Sequence, residues 1–532
     1  MTNENIQHTL FGVVEEVAPS KRKKKVTKKS KDAVEIGTSK ELYNYLLEAC
    51  NILRGPISQD AFKEYITPLL YFKRISDVFD EETAKALEES RVLLGTEEGD
   101  MEYALFPEQH RFVIPDGCHW SDIRERNENL GSAIINAMRK IELANPNTLY
   151  GVLSVFSTAK WGNKNVFSDD LLRKLIEHMS TRSLANKDYN ADLMGDAYEM
   201  LLKKFADLTK AKAGEFYTPR SVVSLLIRIL DPKPGETVYD PACGSGGMLM
   251  EAVHHMKNDN QCCGAIFGQE KNVVNASVAK MNLFLHGAND FNIMCGDTLR
   301  DPKILQNEHI AHFDCVVANP PFTLKDWGAE PWKTDRFGRN IWGIPSDSCG
   351  DYAWLQHMVC SMRSLTGRMA VVLPQGVLFR DQERIFREAL IKRDYIEAVF
   401  TLGDKIFYGT GLSPCFLIIR DKKPQGHKGK VLMVDGSRVL TVQRAQNILS
   451  NDDVNRLYQF YLDYKNEEDY SSVVSCDEIA SKDYNLSPNI YVSYHKEKVK
   501  PYSEVKTAFL AAYQRMVNAE EKFRKIMQEN YI

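Results

Sequence analysis

From about residue 230 onward, short runs of β-branched and apolar residues alternate with helix-length stretches. This alternation restricts the possible folds more than any other feature. The expected strands are Thr237–Asp240, Ala265–Gln269, Phe291–Cys295, Asp314–Ala318, Met369–Leu373, Ile396–Leu402 and Cys415–Ile419. Strands separated by helices are joined by crossovers, which build an α/β fold with a mostly parallel, doubly wound sheet. Ligands of such sheets sit outside the C-terminal ends of the strands, so chemistry is sought there first.

The chain before this region has a different texture. Strand-like alternation is scarce, and amphipathic stretches recur: Leu42–Leu53, Ala61–Phe79, Glu81–Leu93, Leu130–Leu143 and Asp169–Met179. Thr38-x-x-Glu41 fits a capping box, and Gly55-Pro56 ends the first run. A chain of 532 residues is long enough for about three domains. The expected division is a basic tail over 1–37, a helical domain over 38–175, the α/β domain over 176–472, and a C-terminal helical segment over 473–532. That last segment carries Val505, Phe509, Tyr513, Met516, Val517 and Phe523 at helical spacing, a pattern for a partner contact or for packing on its own domain.

Composition adds two limits. With 43% apolar and 26% charged residues the chain is expected to be an ordinary globular protein. No apolar run reaches the roughly 18 residues of a membrane span, and no secretory leader pattern opens it. The eleven cysteines lack metal-ligand spacing, so a reduced cytoplasmic protein without a bound metal is expected. Charge is uneven. Residues 1–37 hold eight Lys or Arg against five acids, a net of +3, so the remainder carries −7 within a total of −4. Phosphate-backbone affinity comes mainly from Lys and Arg, so a body of −7 is not expected to grip DNA alone.

The strand ends carry the chemistry. Asp240-Pro241-Ala242-Cys243-Gly244-Ser245-Gly246-Gly247 follows the first strand and precedes a helix. Its glycines suit a tight turn or the close approach of a ligand. It is neither a dinucleotide fingerprint, since Leu249 takes the third glycine's place, nor a P-loop, since no Lys follows. Glu270 ends the second strand, 23 positions beyond Gly247. An acid there grips a ribose or simply faces solvent. Asp297, with Thr298 beside it, ends the third strand, as an acceptor for an adenine amino group or as a helix cap. The fourth strand runs into Asn319-Pro320-Pro321-Phe322. The two prolines stiffen the turn and remove two N–H donors. The Asn319 side-chain oxygen and the Pro320 carbonyl are then two acceptors for an amino group, and Phe322 is a plane on which a base stacks.

Together these residues resemble the amino-group DNA methyltransferases that use S-adenosylmethionine. Gly214-Glu215-Phe216-Tyr217-Thr218-Pro219-Arg220 precedes the Gly-rich turn, the order of the adenine-N6 group. The helical domain in front, the total length, Phe407-Tyr408-Gly409-Thr410-Gly411 and Tyr484-Asn485-Leu486-Ser487 resemble the methylation (M) subunits of type I restriction–modification systems, over about residues 38–495. The resemblance implies a Rossmann-like methyltransferase sheet. It implies cofactor contacts from Glu215, Phe216, Tyr217, Thr218, Pro219 and Arg220, from Asp240, Gly244, Ser245, Gly246 and Gly247, from Glu270 to the ribose, and from Asp297 and Thr298 near the adenine. It implies catalysis by Asn319, Pro320, Pro321 and Phe322 on an adenine flipped out of DNA, with no metal. It also implies a specificity (S) subunit, a second M subunit and a restriction (R) subunit as partners. The sequence has no G-K-[ST] P-loop, so ATP-driven translocation is expected in another chain.

The competing readings are N4-cytosine methylation, which more often uses Ser-Pro-Pro, a solitary DNA methyltransferase, and a protein glutamine methyltransferase, which is shorter. A non-catalytic DNA-targeting scaffold would be expected to lose Asn319, Phe322 or the glycines, and all are present.

Overall fold

The computed structural model describes residues 38–530 except 59–61, 96–97, 150–151, 154–160, 162–163, 165–166, 191–192, 195–196, 199, 202–217, 259–260, 263, 289, 408–412, 444–446 and 496–501. The basic tail and Gly214–Tyr217 therefore lie outside the described residues, as do Tyr408–Gly411.

The N-terminal part is helical, with α1 (Ser39–Ile52), α2 (Phe62–Leu94), α3 (Leu130–Ala144) and α4 (Asp169–Met179). Thr38 caps α1 reciprocally. Its hydroxyl accepts from the Glu41 N–H at 3.2 Å and its N–H donates to the Glu41 carboxylate at 2.9 Å. A cap of this kind stabilises a helix by about 1 kcal/mol. Asp169, at the start of α4, also accepts the Asn129 and Leu130 N–H groups that open α3. One carboxylate thereby ties two helix N-termini together. The two stretches expected over Ala61–Phe79 and Glu81–Leu93 form one helix, α2, of 33 residues with Pro68 inside it. The acids around Asp80 offer no backbone break, and beyond them Ala86 and Ser90 stay buried while Val92, Leu93 and Leu94 are exposed.

The rest is a nine-stranded sheet: β1 (Thr237–Asp240), β2 (Ala265–Glu270), β3 (Phe291–Cys295), β4 (Cys315–Ala318), β5 (Arg368–Pro374), β6 (Ile396–Leu402), β7 (Pro414–Arg420), β8 (Lys430–Gly436) and β9 (Ser471–Ser475). The spatial order is β9-β8-β6-β7-β5-β4-β1-β2-β3. The strands from β3 to β5 pair in parallel, as do β6 and β8. β7 runs antiparallel between β5 and β6, and β9 closes the edge antiparallel to β8. The seven expected strands are present, and β8 and β9 extend the sheet.

Side chains alternate between two apolar faces. Val238, Ile266, Cys315 and Val317 face the core of α5 (Arg220–Leu230), α6 (Gly247–Met256) and α10 (Asn451–Asp463). Tyr239, Val316 and Ala318 face the core of α8 (Asp351–Cys360) and α9 (Arg384–Lys392). Burial on both faces explains why these strands read as continuous apolar runs.

α7 (Val273–Leu285) is shared between two cores. Ala276, Ala279 and Leu283 pack with the sheet, whereas Val278, Met281, Phe284 and Leu285 belong to the helical domain's core. Arg111 from the helical side lies over the Phe284 ring at 4.3 Å and donates to the Ala288 carbonyl at 3.1 Å.

Two expected boundaries fall inside elements. Residue 175 lies within α4, and residue 472 lies within β9, which is hydrogen-bonded into the sheet. The chain then continues through Tyr484, Leu486 and Tyr491, all in the core under α9. The polar Ser471-Ser472 start of β9 masked this strand in the sequence. Beyond it, α11 (Tyr502–Asn530) is exposed along its length, including Phe509, Tyr513, Met516 and Phe523. Among the described residues no helix is long and apolar enough to cross a membrane.

Candidate active site

The strand-end residues collect at the C-terminal ends of β3, β2, β1 and β4, four adjacent parallel strands. The turn after β1 is held by short local bonds. Asp240, 2% exposed, accepts from the Ala242 N–H at 2.9 Å, and the Gly246 N–H donates to the Cys243 carbonyl at 2.7 Å. Gly244 and Gly246 have φ of +53° and +85°, which glycine adopts without the steric penalty of other residues. Gly246 also lies against α7, where a Cβ would meet that of Ala279 at 3.3 Å. Below it, Asn282 of α7, fully buried, donates to the Ser245 carbonyl at 2.7 Å.

Glu270 reaches across from β2. One carboxylate oxygen accepts from the Gly244 N–H at 2.9 Å and the other from the Asn272 N–H at 2.7 Å. A carboxylate has about four lone-pair sites, so both oxygens retain capacity for further donors. Burial pushes the Asp240 carboxyl up to about 8, and the Glu270 charge adds to that rise. Thr298 is buried, and its hydroxyl donates to the Pro241 carbonyl at 2.6 Å, tying the end of β3 to the turn. Asp297 stays partly open and pairs with Lys271 at 2.9 Å. Its carboxylate also accepts the Arg300 N–H at 3.3 Å, the capping alternative.

The turn after β4 is built by more distant groups. The Asn319 side-chain NH₂ donates to the Thr218 hydroxyl at 2.8 Å. That bond joins the T-P-R segment to the N-P-P-F turn. The Asn319 side-chain oxygen is buried and has no hydrogen-bond partner among the described residues. Burying an unsatisfied acceptor costs about 1–3 kcal/mol, so a donor reaching this atom would be favoured. Pro219 caps α5, and Arg220, its first residue, is exposed. Phe322 is half-buried, with Phe407 at 6.3 Å between ring centroids. Glu215, Phe216 and Tyr217 lie outside the described residues.

Sequence reasoning missed several supports of this site. Arg339 is buried against Asp335 and donates to the Thr298 and Leu299 carbonyls at 2.9 Å each. Lys271 and Asn282 also escaped it, because only folding brings them to Asp297 and Ser245. His357 bonds the Tyr239 hydroxyl at 3.1 Å inside the core, a structural position.

The strand-end turn is open to a ligand of the adenosyl sulfonium kind. A Cβ added at Gly244 or Gly247 would project into open space, which leaves the turn accessible to a ligand. The carboxylate of Glu270 supplies negative charge near a cation, while the buried Asp240 carboxyl keeps its proton. Sheet order and strand-end site define a class I S-adenosylmethionine-dependent methyltransferase.

Comparison with known proteins narrows the class. The N-6 DNA Methylase family profile matches residues 189–500, and the HsdM N-terminal domain profile matches residues 42–179. The chain is 30% identical over 527 residues to the type I restriction enzyme MjaVIII methylase subunit of Methanocaldococcus jannaschii, covering 92% of this chain and 86% of that one. It is 33% identical over 396 residues to the MjaVII methylase subunit of the same organism, covering 71% of this chain and 66% of that one. The type I restriction–modification methyltransferase subunit structure from Streptococcus thermophilus superposes with a TM-score of 0.71 at 25% identity, covering 86% of this chain and 100% of that one. The chain belongs to the N-6 DNA methylases, as a methylase subunit of the type I restriction–modification kind.

Proposed function

We propose that this chain transfers a methyl group to N6 of an adenine flipped out of DNA, through the loop Asn319–Phe322. The observation that carries this reading is the buried, unpartnered side-chain oxygen of Asn319, whose NH₂ is fixed by Thr218. The N6 amine is a weak nucleophile because its lone pair is delocalised into the ring. Asn319 and the Pro320 carbonyl accept the two N6 hydrogens, which favours a pyramidal nitrogen and frees its lone pair. These bonds strengthen as positive charge develops on N6, so they lower the transition state more than the ground state. Phe322 stacks on the extruded base, offsetting part of the few kcal/mol of unstacking. Pro321 keeps the turn rigid.

S-adenosylmethionine, when bound, supplies an electrophilic methyl on a sulfonium. The residues that would hold it are Gly244–Gly247 at the turn, Glu270 at the ribose, Asp297 and Thr298 near the adenine, and the segment Glu215–Arg220. Asp240, protonated by burial, shapes the turn beneath it through the Ala242 N–H. The chemistry calls on no metal.

We further propose a division of labour. The −7 body gives this chain weak affinity for DNA, and a specificity subunit supplies target reading and most of the phosphate grip. Two copies of this chain join one such subunit through the exposed α11, in the cytoplasm, and a restriction subunit completes the assembly. The tail 1–37 is a separate unit of the chain, whereas the helical segment before α5 shares α7 with the sheet.

Modification-detecting sequencing tests this in cells carrying the chain with and without its genomic neighbour. N6-methyladenine in a split motif, only when both are present, is the expected result. Methylation by the isolated chain would leave a solitary enzyme, and N4-methylcytosine would overturn the choice of base.

A further inference from the structure

The loop that carries Asn319 and Phe322 does not end at Phe322. The next residue, Thr323, has a φ of +51°, a left-handed conformation that costs a non-glycine residue about 1–2 kcal/mol. Such strain persists where surrounding structure over-determines it. Two bonds do so here, both from the start of α8. The Asp351 carboxylate accepts the Thr323 N–H at 2.7 Å, and the Gly350 N–H donates to the Leu324 carbonyl at 2.9 Å. Thr323 also borders a cavity of about 370 Å³, which Cys349, Arg380 and Glu383 line as well. The loop therefore has room to swing if the Asp351 bond is lost.

Asp351 is fully buried, so its charge needs a partner in place. Arg380 supplies it, donating to the Asp351 carboxylate at 3.1 Å and to Glu383 at 3.2 Å. Cys349 completes the cluster, its thiol 3.3 Å from both carboxylates. Cys349, Asp351 and Glu383 lie close enough to hold a metal ion, but the Arg380 guanidinium already supplies the positive charge among them. Arg380 is itself anchored. The buried Arg387 donates to the Arg380 carbonyl at 2.8 Å and, through its Nε, to the Tyr484 carbonyl at 2.9 Å. The Tyr484–Ser487 motif thus reaches the catalytic loop through Arg387, Arg380 and Asp351.

We infer that Asp351, held by Arg380, is a positioning residue that fixes the Phe322–Thr323 turn, so that the Phe322 ring and the Asn319 oxygen keep their places relative to the target base. This rests on the reading of Asn319 and Phe322 given above. Loss of this brace displaces the loop without touching the cofactor turn. A misplacement of about 1 Å costs about 10²-fold in rate.

The test uses the full chain co-purified with its specificity partner and DNA bearing the mapped target. D351A, D351N and N319A are compared by kcat, KM for DNA, cofactor affinity by calorimetry, and fluorescence of 2-aminopurine at the target position. D351A is expected to lower kcat about 100-fold. D351N, which keeps the acceptor for Thr323 but loses the charge facing Arg380, is expected to lower it less. Cofactor affinity and KM should stay within about threefold in both, and the 2-aminopurine signal should shift in the same direction as in an F322A control measured alongside. Thr323→Gly in the D351A background should recover part of the rate, since glycine takes positive φ freely.

D351A with kcat within about threefold of the parent would overturn the proposal, as would a matching loss of cofactor affinity. If D351A does not fold, D351N decides by the same readouts. If N319A keeps its rate, the reading of the whole loop fails. If N319A is inactive and D351A is not, only the role of Asp351 fails.

Discussion

The two halves of the site are built on different plans. The cofactor half, at the ends of β1, β2 and β3, is a set of short bonds between backbone groups and carboxylates, such as Asp240 to Ala242 and Glu270 to Gly244. The base half, after β4, is held by side chains drawn from across the chain: Thr218 on Asn319, Asp351 on Thr323, Arg380 on Asp351. Each half leaves one buried amide oxygen without a partner among the described residues, Asn282 beneath the cofactor turn and Asn319 in the base half, but only that of Asn319 belongs to a residue of the N-P-P-F turn itself. A pocket for a cofactor can be preformed. A pocket for a flipped base keeps a polar atom unpaired until the base arrives, and needs outside bracing to do so.

Substitutions on each half should separate the two plans. The largest effect is expected from Asn319→Ala, which removes an acceptor that works in the transition state. Methyl transfer should fall by about 10²–10³-fold with cofactor binding unchanged in calorimetry. A matching loss of cofactor affinity would erase the distinction between the halves. Phe322→Ala should cost about 1–3 kcal/mol of base stacking, about 5- to 150-fold in kcat/KM for DNA. Phe322→Trp should restore most of it, and failure to do so would remove stacking as the role of that ring.

Glu270→Gln probes the other half. It replaces a charged acceptor by a neutral one, so cofactor affinity should weaken about tenfold, while the rate at saturating cofactor changes little. The smallest effect is expected at Asp240. Burial holds its carboxyl at about 8, above the ordinary 3.8, so the folded protein keeps this proton where the unfolded chain has lost it. The stability it contributes is full below about pH 4 and is lost as pH rises toward 8. Asp240→Asn should flatten the fall in Tm between pH 6 and 8 in the cofactor-free protein. An unchanged slope would show that the carboxyl is not held up in this way.

The same division governs what the sequence made legible. The cofactor half is a contiguous motif plus acids at strand ends, so D-P-A-C-G-S-G-G, Glu270 and Asp297 stood out before any coordinates. N-P-P-F stood out for the same reason. The supports did not. Asn319 and Thr218 are 101 positions apart, and Arg387 and Tyr484 are 97 apart. No local pattern links such pairs, and Asp351 lies in none of the strand-end motifs. β9 was missed because an edge strand needs apolar residues on one face alone, and Ser471-Ser472 hid its start. The single long α2 was missed because the polar residues around Asp80 interrupt the apolar pattern without breaking the backbone.

The shared helix α7 has a consequence for energetics. One face of it completes the helical domain and the other supports Ser245 and Gly246 through Asn282 and Ala279. The two cores therefore cannot melt independently, and α7 amides should exchange with solvent only in the event that opens both. Ligand binding at the turn and docking of the helical domain must then favour each other by the same factor, since linkage between two equilibria is reciprocal. Slowed exchange across α7 on adding cofactor, extending to Phe284 and Leu285 on its far face, is the signature of that shared account.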